Sequence, residues 1–295
     1  MKQIKLNTPV PVEPLGLTIA PEDRIMLIGS CFTENMGLRL RDLHFDVCIN
    51  PFGILYNPLS MAEALGRCLD DRTIGEGCLV QYEGLWHSWL HHGSFSNASK
   101  EECIEACNTA IHVAHSFLQS CDVLILTFGS AWCYELAASA GEENGKVVVA
   151  NCHKLPAANF TKRLLSVEEV VSAWKPLIER MIQSGVKVVY TVSPVRHQAY
   201  GAHGNQLGKA VLLLAIEQLM SVVGGCYFPA YEIIMDELRD YRFYADDLAH
   251  PSALAEQIVW QRFQEAAMTA EAIQRCEETE KENRRKAHRP LHQIS

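Results

Sequence analysis

No stretch of this chain stays apolar for long. The longest purely aliphatic run of its kind, AVLLLAI (210–216), falls far below the roughly 18 residues that a membrane-spanning helix needs. The start, MKQIKLNTPVPVEPLGL, lacks the apolar core of a signal peptide. Positive charge is also scarce: 26 Lys and Arg stand against 35 Asp and Glu, a formal net charge of −9. That balance disfavours nucleic acid or an anionic membrane surface as the main partner. No G-x-x-x-x-G-K-[ST] and no G-x-G-x-x-G stands at a strand–helix junction, so ATP and dinucleotide use are unsupported and no cofactor is expected. The absence of G-x-S-x-G argues against an α/β-hydrolase fold. Cysteine is plentiful at eleven, but scattered through a long chain. Those residues read as small buried apolar side chains in a reducing cytoplasm rather than a disulfide framework.

What is present is a 295-residue chain, 48% apolar and 21% charged, suited to one large domain or one domain with an insertion. Nearly continuous apolar runs at 23–29, 122–129, 186–193 and 225–231, with FDVCIN at 45–50, read as strands. Continuous rather than alternating apolarity is expected where helices cover both faces of a parallel sheet. Helical patterns at 33–43, 59–69, 99–119, 166–184 and 204–223 fall between them, with Ser99 and Ser166 placed as N-caps. The alternation predicts an α/β chain: a three-layer α/β/α sandwich around a mainly parallel five-stranded sheet, flavodoxin-like. Residues 72–98 read as an excursion of short strands and loops over the carboxyl edge. Residues 141–165 read as one short strand, KVVVA, and a long loop. From about 253 the chain reads as a long polar helix whose charge-mixed end is a solvated surface.

Residues 28–32, IGSCF, end the first strand in a serine beside a cysteine. Ser30 stands where a helix begins, and free N–H groups there can hold an anion or the oxyanion of a tetrahedral intermediate. A plain helix cap fits the same position. Serine needs a base within hydrogen-bond reach, and YADDLAHPS offers Asp247 and His250 three residues apart on one side of a turn. There a carboxylate can orient an imidazole suited to proton transfer near neutrality. Pro251 is read as the start of the next helix.

The GSCF stretch, with INPFGILYNP (49–58), WLHHGSFS (89–96), LTFGSAWCYE (126–135), VANCHKLP (149–156), TVSPVRH (191–197) and DDLAHPS (246–252), resembles the GSCFA-domain family, a branch of the SGNH/GDSL hydrolase superfamily. The resemblance runs from about residue 4 to 265. It implies one SGNH-like hydrolase domain over 1–265, with 72–98 as a cap-like insertion and 266–295 as a polar tail. It also implies Ser30 as nucleophile, Asp247 and His250 as acid and base, and the N–H groups of Ser30 and Gly53 as oxyanion donors. Gly53 has a simpler explanation in a turn with positive φ. The superfamily's oxyanion asparagine is missing, since Ala131 stands in its place. Asn151 is read as its substitute, with the Ser130 hydroxyl as the alternative.

Cys31 is the rival nucleophile, its thiol favoured by a helix N-terminus, and is read as packing. A metal site at His87, His91 and His92 lacks the ligand spacing it would need. His91 and His92 are instead placed on the substrate pocket, with His153, Arg196 and His197 as candidates for holding an anionic group, alongside Lys154 and Arg163. Trp86, Trp89 and Trp132 are candidates for a sugar-stacking face. The resulting expectation is an esterase or deacylase working through an acyl-serine on an O-acylated carbohydrate or small ester. An acyltransferase with the same triad and a non-catalytic carbohydrate-binding relic are the alternatives. Oligomeric state is not legible.

Overall fold

Short strands and longer helices alternate along the chain. The computed structural model describes residues 8–137 and 147–287. The first residues of the family resemblance, the start of the 141–165 stretch and the end of the polar tail lie outside the described residues. In chain order, β1 (Arg24–Gly29), α1 (Cys31–Asp42), β2 (Asp46–Ile49) and α2 (Pro58–Asp70) come first. Then follow β3 (Leu79–Tyr82), β4 (Leu85–Ser88), α3 (Lys100–Leu118), β5 (Val123–Phe128) and β6 (Trp132–Leu136). The next are β7 (Val148–Val149), β8 (Phe160–Leu164), α4 (Val167–Gln183) and β9 (Lys187–Val192). Last come α5 (Gly201–Val222), β10 (Cys226–Tyr227), the single turn α6 (Ala230–Glu232), α7 (Ala253–Ala267) and α8 (Ala270–Ala287).

The main sheet runs β10-β9-β5-β1-β2 with every neighbouring pair parallel. Alternate residues of the same strands feed two cores. Met26, Ile28, Leu124, Leu126 and Tyr190 pack beneath α2, α3, α4 and α5. Ile25, Leu27, Val123, Ile125 and Val189 pack beneath α1, α7 and α8. This is the expected three-layer sandwich. Burying each such side chain contributes about 1.5–3 kcal/mol, so only helices on both sides make these strands stable. Ser99 accepts from the Glu102 N–H, and Ser166 with Glu169 forms a complete capping box. Among the described residues no helix is long and apolar enough to cross a membrane.

Several elements differ from the sequence expectations. The last sheet strand is only Cys226–Tyr227, because Pro229 cannot extend the ladder. The 141–165 stretch is no long loop: β6, β7 and β8 form a separate antiparallel sheet in the order β7-β6-β8. Its strands are short and polar on one face, which hides them in a pattern search. The β3–β4 hairpin turns at Glu83 and Gly84, both at positive φ, and lies against α3, with Trp86 and Asn97 bonded to each other's backbone. The chain that follows it meets the loop after β2, where the His92 N–H donates to the Phe52 carbonyl. The long polar helix is two helices. The break at Met268 comes from pairing with the N-terminal segment, where Thr269 N–H donates to the Ile19 carbonyl and Ile19 N–H to that of Ala267. α8 is not a solvated rod, since Ala272 and Cys276 belong to the second core. Pro251 does not open α7 but pairs with Tyr244, and Ser252 is the cap, accepting from the Ala255 N–H.

Candidate active site

In this sheet the chain moves outward from β1 to β2, then returns to place β5 on the other side of β1. Such a switch point leaves a crevice at the carboxyl ends of the two strands, the usual ligand position in open α/β sheets. Ser30 stands there, after β1. The turn before it is tight: a Cβ on Gly29 would lie 2.4 Å from the Thr127 carbonyl oxygen. The Gly29 N–H donates to Asn50 Oδ1 at 2.8 Å, tying the ends of β1 and β2. Ser30 occupies the N-cap of α1 but makes no side-chain cap bond. Its hydroxyl is fully buried and donates to Ser193 Oγ at 3.1 Å, across the end of β5.

Asp247 and His250 sit on a turn held to the same edge, where the Arg196 N–H donates to the Ala249 carbonyl at 3.1 Å. Asp247 Oδ1 accepts the N–H groups of Ala249 and His250, while Oδ2 accepts His250 Nδ1–H at 2.6 Å. Those backbone bonds, with the histidine contact, hold the Asp247 carboxyl down at about 2. It is therefore ionised at neutral pH, which fixes the imidazole tautomer and leaves Nε2 as the acceptor. Leu248, between them, is forced to φ +57. Both side chains are half-exposed. Among the described residues no hydrogen bond joins His250 to Ser30, although both belong to the carboxyl edge.

The histidine and its partner line a cleft of about 550 Å3 with Tyr56, Trp132, Asn151, Arg196, His197 and Tyr200. Trp132 and Tyr200 stack at 5.4 Å, and Lys162 Nζ lies 5.0 Å from the Trp132 ring. Burial pushes His197 down to about 4, helped by the Lys209 charge and opposed by the Gly129 carbonyl, and its Nε2 is buried without a partner. Asn151 lines the cleft while its Oδ1 accepts the His153 N–H at 2.7 Å. Ser130 is buried and accepts the Trp132 N–H, and Ala131 is wholly buried in the first core. Gly53 has φ +74 and its N–H donates to the Asn50 carbonyl at 2.7 Å. A Cβ there would meet His92 Cβ at 2.4 Å, so the turn itself demands glycine.

Of the histidines placed on the substrate pocket, only His197 lines the cleft, beside Arg196. His91, His92 and His153 lie outside it: the first two pack on the Phe52–Gly53 turn after β2, and His153 docks on the hairpin. His91 is fully buried, stacked on Phe52 at 4.1 Å, with Nδ1 bonded to Ser88 Oγ. His153 Nε2–H donates to the Ser88 carbonyl at 2.8 Å and its ring stacks on His87. His92 Nδ1 accepts the Ser94 N–H at a short turn. Arg163 is in β8, bound to Glu135 and Glu169, so its charge is already matched. Trp86 and Trp89 face Lys100 and His153, leaving Trp132 as the tryptophan of the cleft. Cys31 begins α1 partly exposed. Burial pushes its thiol up, against the lowering effect of the Phe32 and Cys31 N–H groups, and Glu256 and Glu34 add to the rise.

Two residues of the site escaped the sequence reading, Ser193 and Lys209. Lys209 of α5 is almost fully buried, and its Nζ donates to the carbonyls of Gly129 (2.7 Å) and Ser193 (2.6 Å). Its signal was periodicity: Lys209 precedes Leu212 and Ile216 by three and seven residues, which puts it on the buried stripe of the helix. Among the described residues no cluster of three or more His, Cys, Asp or Glu has metal-holding geometry. No curated protein matches this chain. The model of the GSCFA family matches residues 24–263, from β1 into α7, a span that takes in Ser30, the cleft and the Asp247–His250 turn. The chain belongs to the GSCFA family.

Proposed function

We propose that the cleft is the active site of a serine esterase or deacylase of the SGNH type, acting on an O-acylated carbohydrate or another small ester. The observation that carries this reading is the Asp247–His250 pair, bonded at 2.6 Å on the wall of the cleft with the second imidazole nitrogen free to accept a proton. A carboxylate-oriented imidazole and a strand-to-helix serine on the same sheet edge are the groups that acyl transfer uses once they come within hydrogen-bond reach. Ser30 Oγ leaves Ser193, attacks the ester carbonyl carbon and passes its proton to His250 Nε2. The bond to the leaving alcohol breaks as His250 returns that proton to the departing oxygen. Water then attacks the acyl-serine by the same proton movements and releases the acid.

Negative charge on the carbonyl oxygen is met by the backbone at the head of α1 and by the Asn151 amide. The Gly53 N–H is already engaged with Asn50, and one missing oxyanion donor costs about 100- to 1000-fold, so turnover is slow. The stacked Trp132–Tyr200 wall supports a sugar ring as the acylated group. Eleven unpaired cysteines support residence in a reducing compartment such as the cytoplasm.

Exposure favours a second reading. Ser30 is wholly buried while its neighbour Cys31 is partly accessible, so the thiol is the alternative nucleophile and a thioester the alternative intermediate. Fluorophosphonate labelling and 4-nitrophenyl acetate hydrolysis by wild type, Ser30→Ala, Cys31→Ala and His250→Ala decide. The expected result is loss of both in Ser30→Ala and His250→Ala, with both retained in Cys31→Ala. Hydrolysis lost only with the thiol moves the role to Cys31. Wild type that does neither above background overturns the esterase reading.

A further inference from the structure

Packing does not account for Lys209. It stands on the same stripe of α5 as Leu212, Ile216 and Leu219, all wholly or almost wholly buried, where a leucine or methionine would cover the sheet without desolvating a charge. Among the described residues no carboxylate pairs with it. Its ammonium instead spans two main-chain carbonyls, those of Gly129 after β5 and Ser193 after β9. The second of these residues is the one whose hydroxyl holds Ser30. The ring of Tyr231 lies 5.6 Å from Nζ.

We propose that Lys209 is a positioning residue for the acyl-transfer site: its buried positive charge draws together the ends of β5 and β9, holds Ser193 against Ser30, and favours negative charge at the head of α1. The proposal rests on the esterase reading for its kinetic consequence, but not for its electrostatic one. The ring of Tyr231 of α6 is packed against Lys209, and Cys31 at the start of α1 and His197 after β9 are the other ionisable groups within reach of its charge. None supplies a formal counter-charge at neutral pH: burial raises the thiol and the phenol, and holds the imidazole neutral. A charge left without an internal partner is therefore available to whatever anion forms at the helix head. It also helps to hold the His197 ring neutral, since a second positive charge there would be repelled by the ammonium. Burial brings Lys209 down to about 7. A base lowered in this way is charged below that pH and loses its charge above it, within the working range of the site.

The test compares wild type with Lys209→Met, which removes both charge and donors, and Lys209→Gln, which keeps two amide donors without charge. Circular dichroism checks the fold of each, and the glutamine variant serves if the methionine variant does not fold. The first readout is alkylation of Cys31 by iodoacetamide at pH 6.5, where Lys209 is still mostly charged, followed by peptide mass spectrometry, which needs no enzymatic activity. Both variants are expected to alkylate at least threefold more slowly than wild type. The second is 4-nitrophenyl acetate hydrolysis across pH 5.5 to 9. In wild type kcat falls above pH 7, whereas in either variant it is at least tenfold lower below pH 7, KM changes less than twofold, the descending limb is gone and the profiles draw together toward pH 9. Unchanged alkylation in a folded variant overturns the proposal, whatever the hydrolysis shows. Slowed alkylation in a protein that hydrolyses nothing sustains the charge and removes the esterase reading alone.

Discussion

His91 and His153 are folded into the molecule as neutral rings, and the way each is bonded shows what a second proton would meet. His153 uses Nε2–H on the Ser88 carbonyl, so its Nδ1 is bare and buried without a partner. His91 bonds Ser88 Oγ through Nδ1, and its Nε2 is likewise buried and unpartnered. Burial, helped by Arg67 and His153, pushes His91 down to about 3, and burial pushes His153 down to about 4. In the unfolded chain both would titrate near 6.5. For a base whose folded pKa is depressed, the unfolded state binds protons that the native state refuses. Stability is thus fully present above pH 6.5 and falls as pH drops toward 4 and then 3. Each pKa unit is worth about 1.4 kcal/mol, so at pH 5 each histidine costs about 2 kcal/mol, and the pair about 4 kcal/mol. His197, less buried, adds in the same direction. Against a total of about 5–15 kcal/mol, that is a large share. Urea unfolding followed by circular dichroism at pH 7, 6 and 5 should show stability falling by about 3 kcal/mol between pH 6 and pH 5. His91→Phe keeps the stack on Phe52 and should remove about 1.4 kcal/mol of that fall. A wild-type change below about 1 kcal/mol over this interval, or an unaltered slope in His91→Phe, would refute the reasoning.

Asp247→Asn should leave thermal stability nearly unchanged, because an amide oxygen can still accept the Ala249 and His250 N–H groups. It should lower ester hydrolysis by about three to four orders of magnitude by losing control of the imidazole tautomer. A loss of less than tenfold in kcat would detach this aspartate from the reaction. Gly53→Ala should destabilise by about 2–4 kcal/mol in urea unfolding, combining left-handed backbone strain with overlap on His92 Cβ, which cannot swing aside as a side-chain tip would. A cost below about 0.5 kcal/mol would mean that the Asn50–Gly53 turn yields easily.

The central sheet was legible because helices cover both of its faces, so β1, β5 and β9 read as unbroken apolar runs. The strands that escaped are those not buried on both faces. β8, read as FTKRL, has polar residues on its outer side and gains its partner from β6, more than twenty residues earlier. The break between α7 and α8 carries no proline or glycine, since it is dictated by Ile19 from the opposite end of the chain. In the site, the D-x-x-H turn is local and its bonds follow from three residues. The fate of His91 and His153 is not local. It depends on the hairpin meeting Phe52 and the 151–155 turn, which pattern alone does not reveal. Lys209 lay within reach, because the spacing that marks α5 as buried marks the lysine too.

The second core has a consequence for biosynthesis. One face of the sheet is covered by α1 from near the beginning of the chain and by Val259, Trp260, Phe263, Ala272 and Cys276 from near its end. While a ribosome is still making the middle of the protein, the strands can line up over α2–α5, yet Ile125 and Val189 on their reverse side face water. Until α7 and α8 emerge, the nascent chain carries a greasy, half-dressed sheet, a natural client for a chaperone, and the Asp247–His250 turn has no α7 to anchor it.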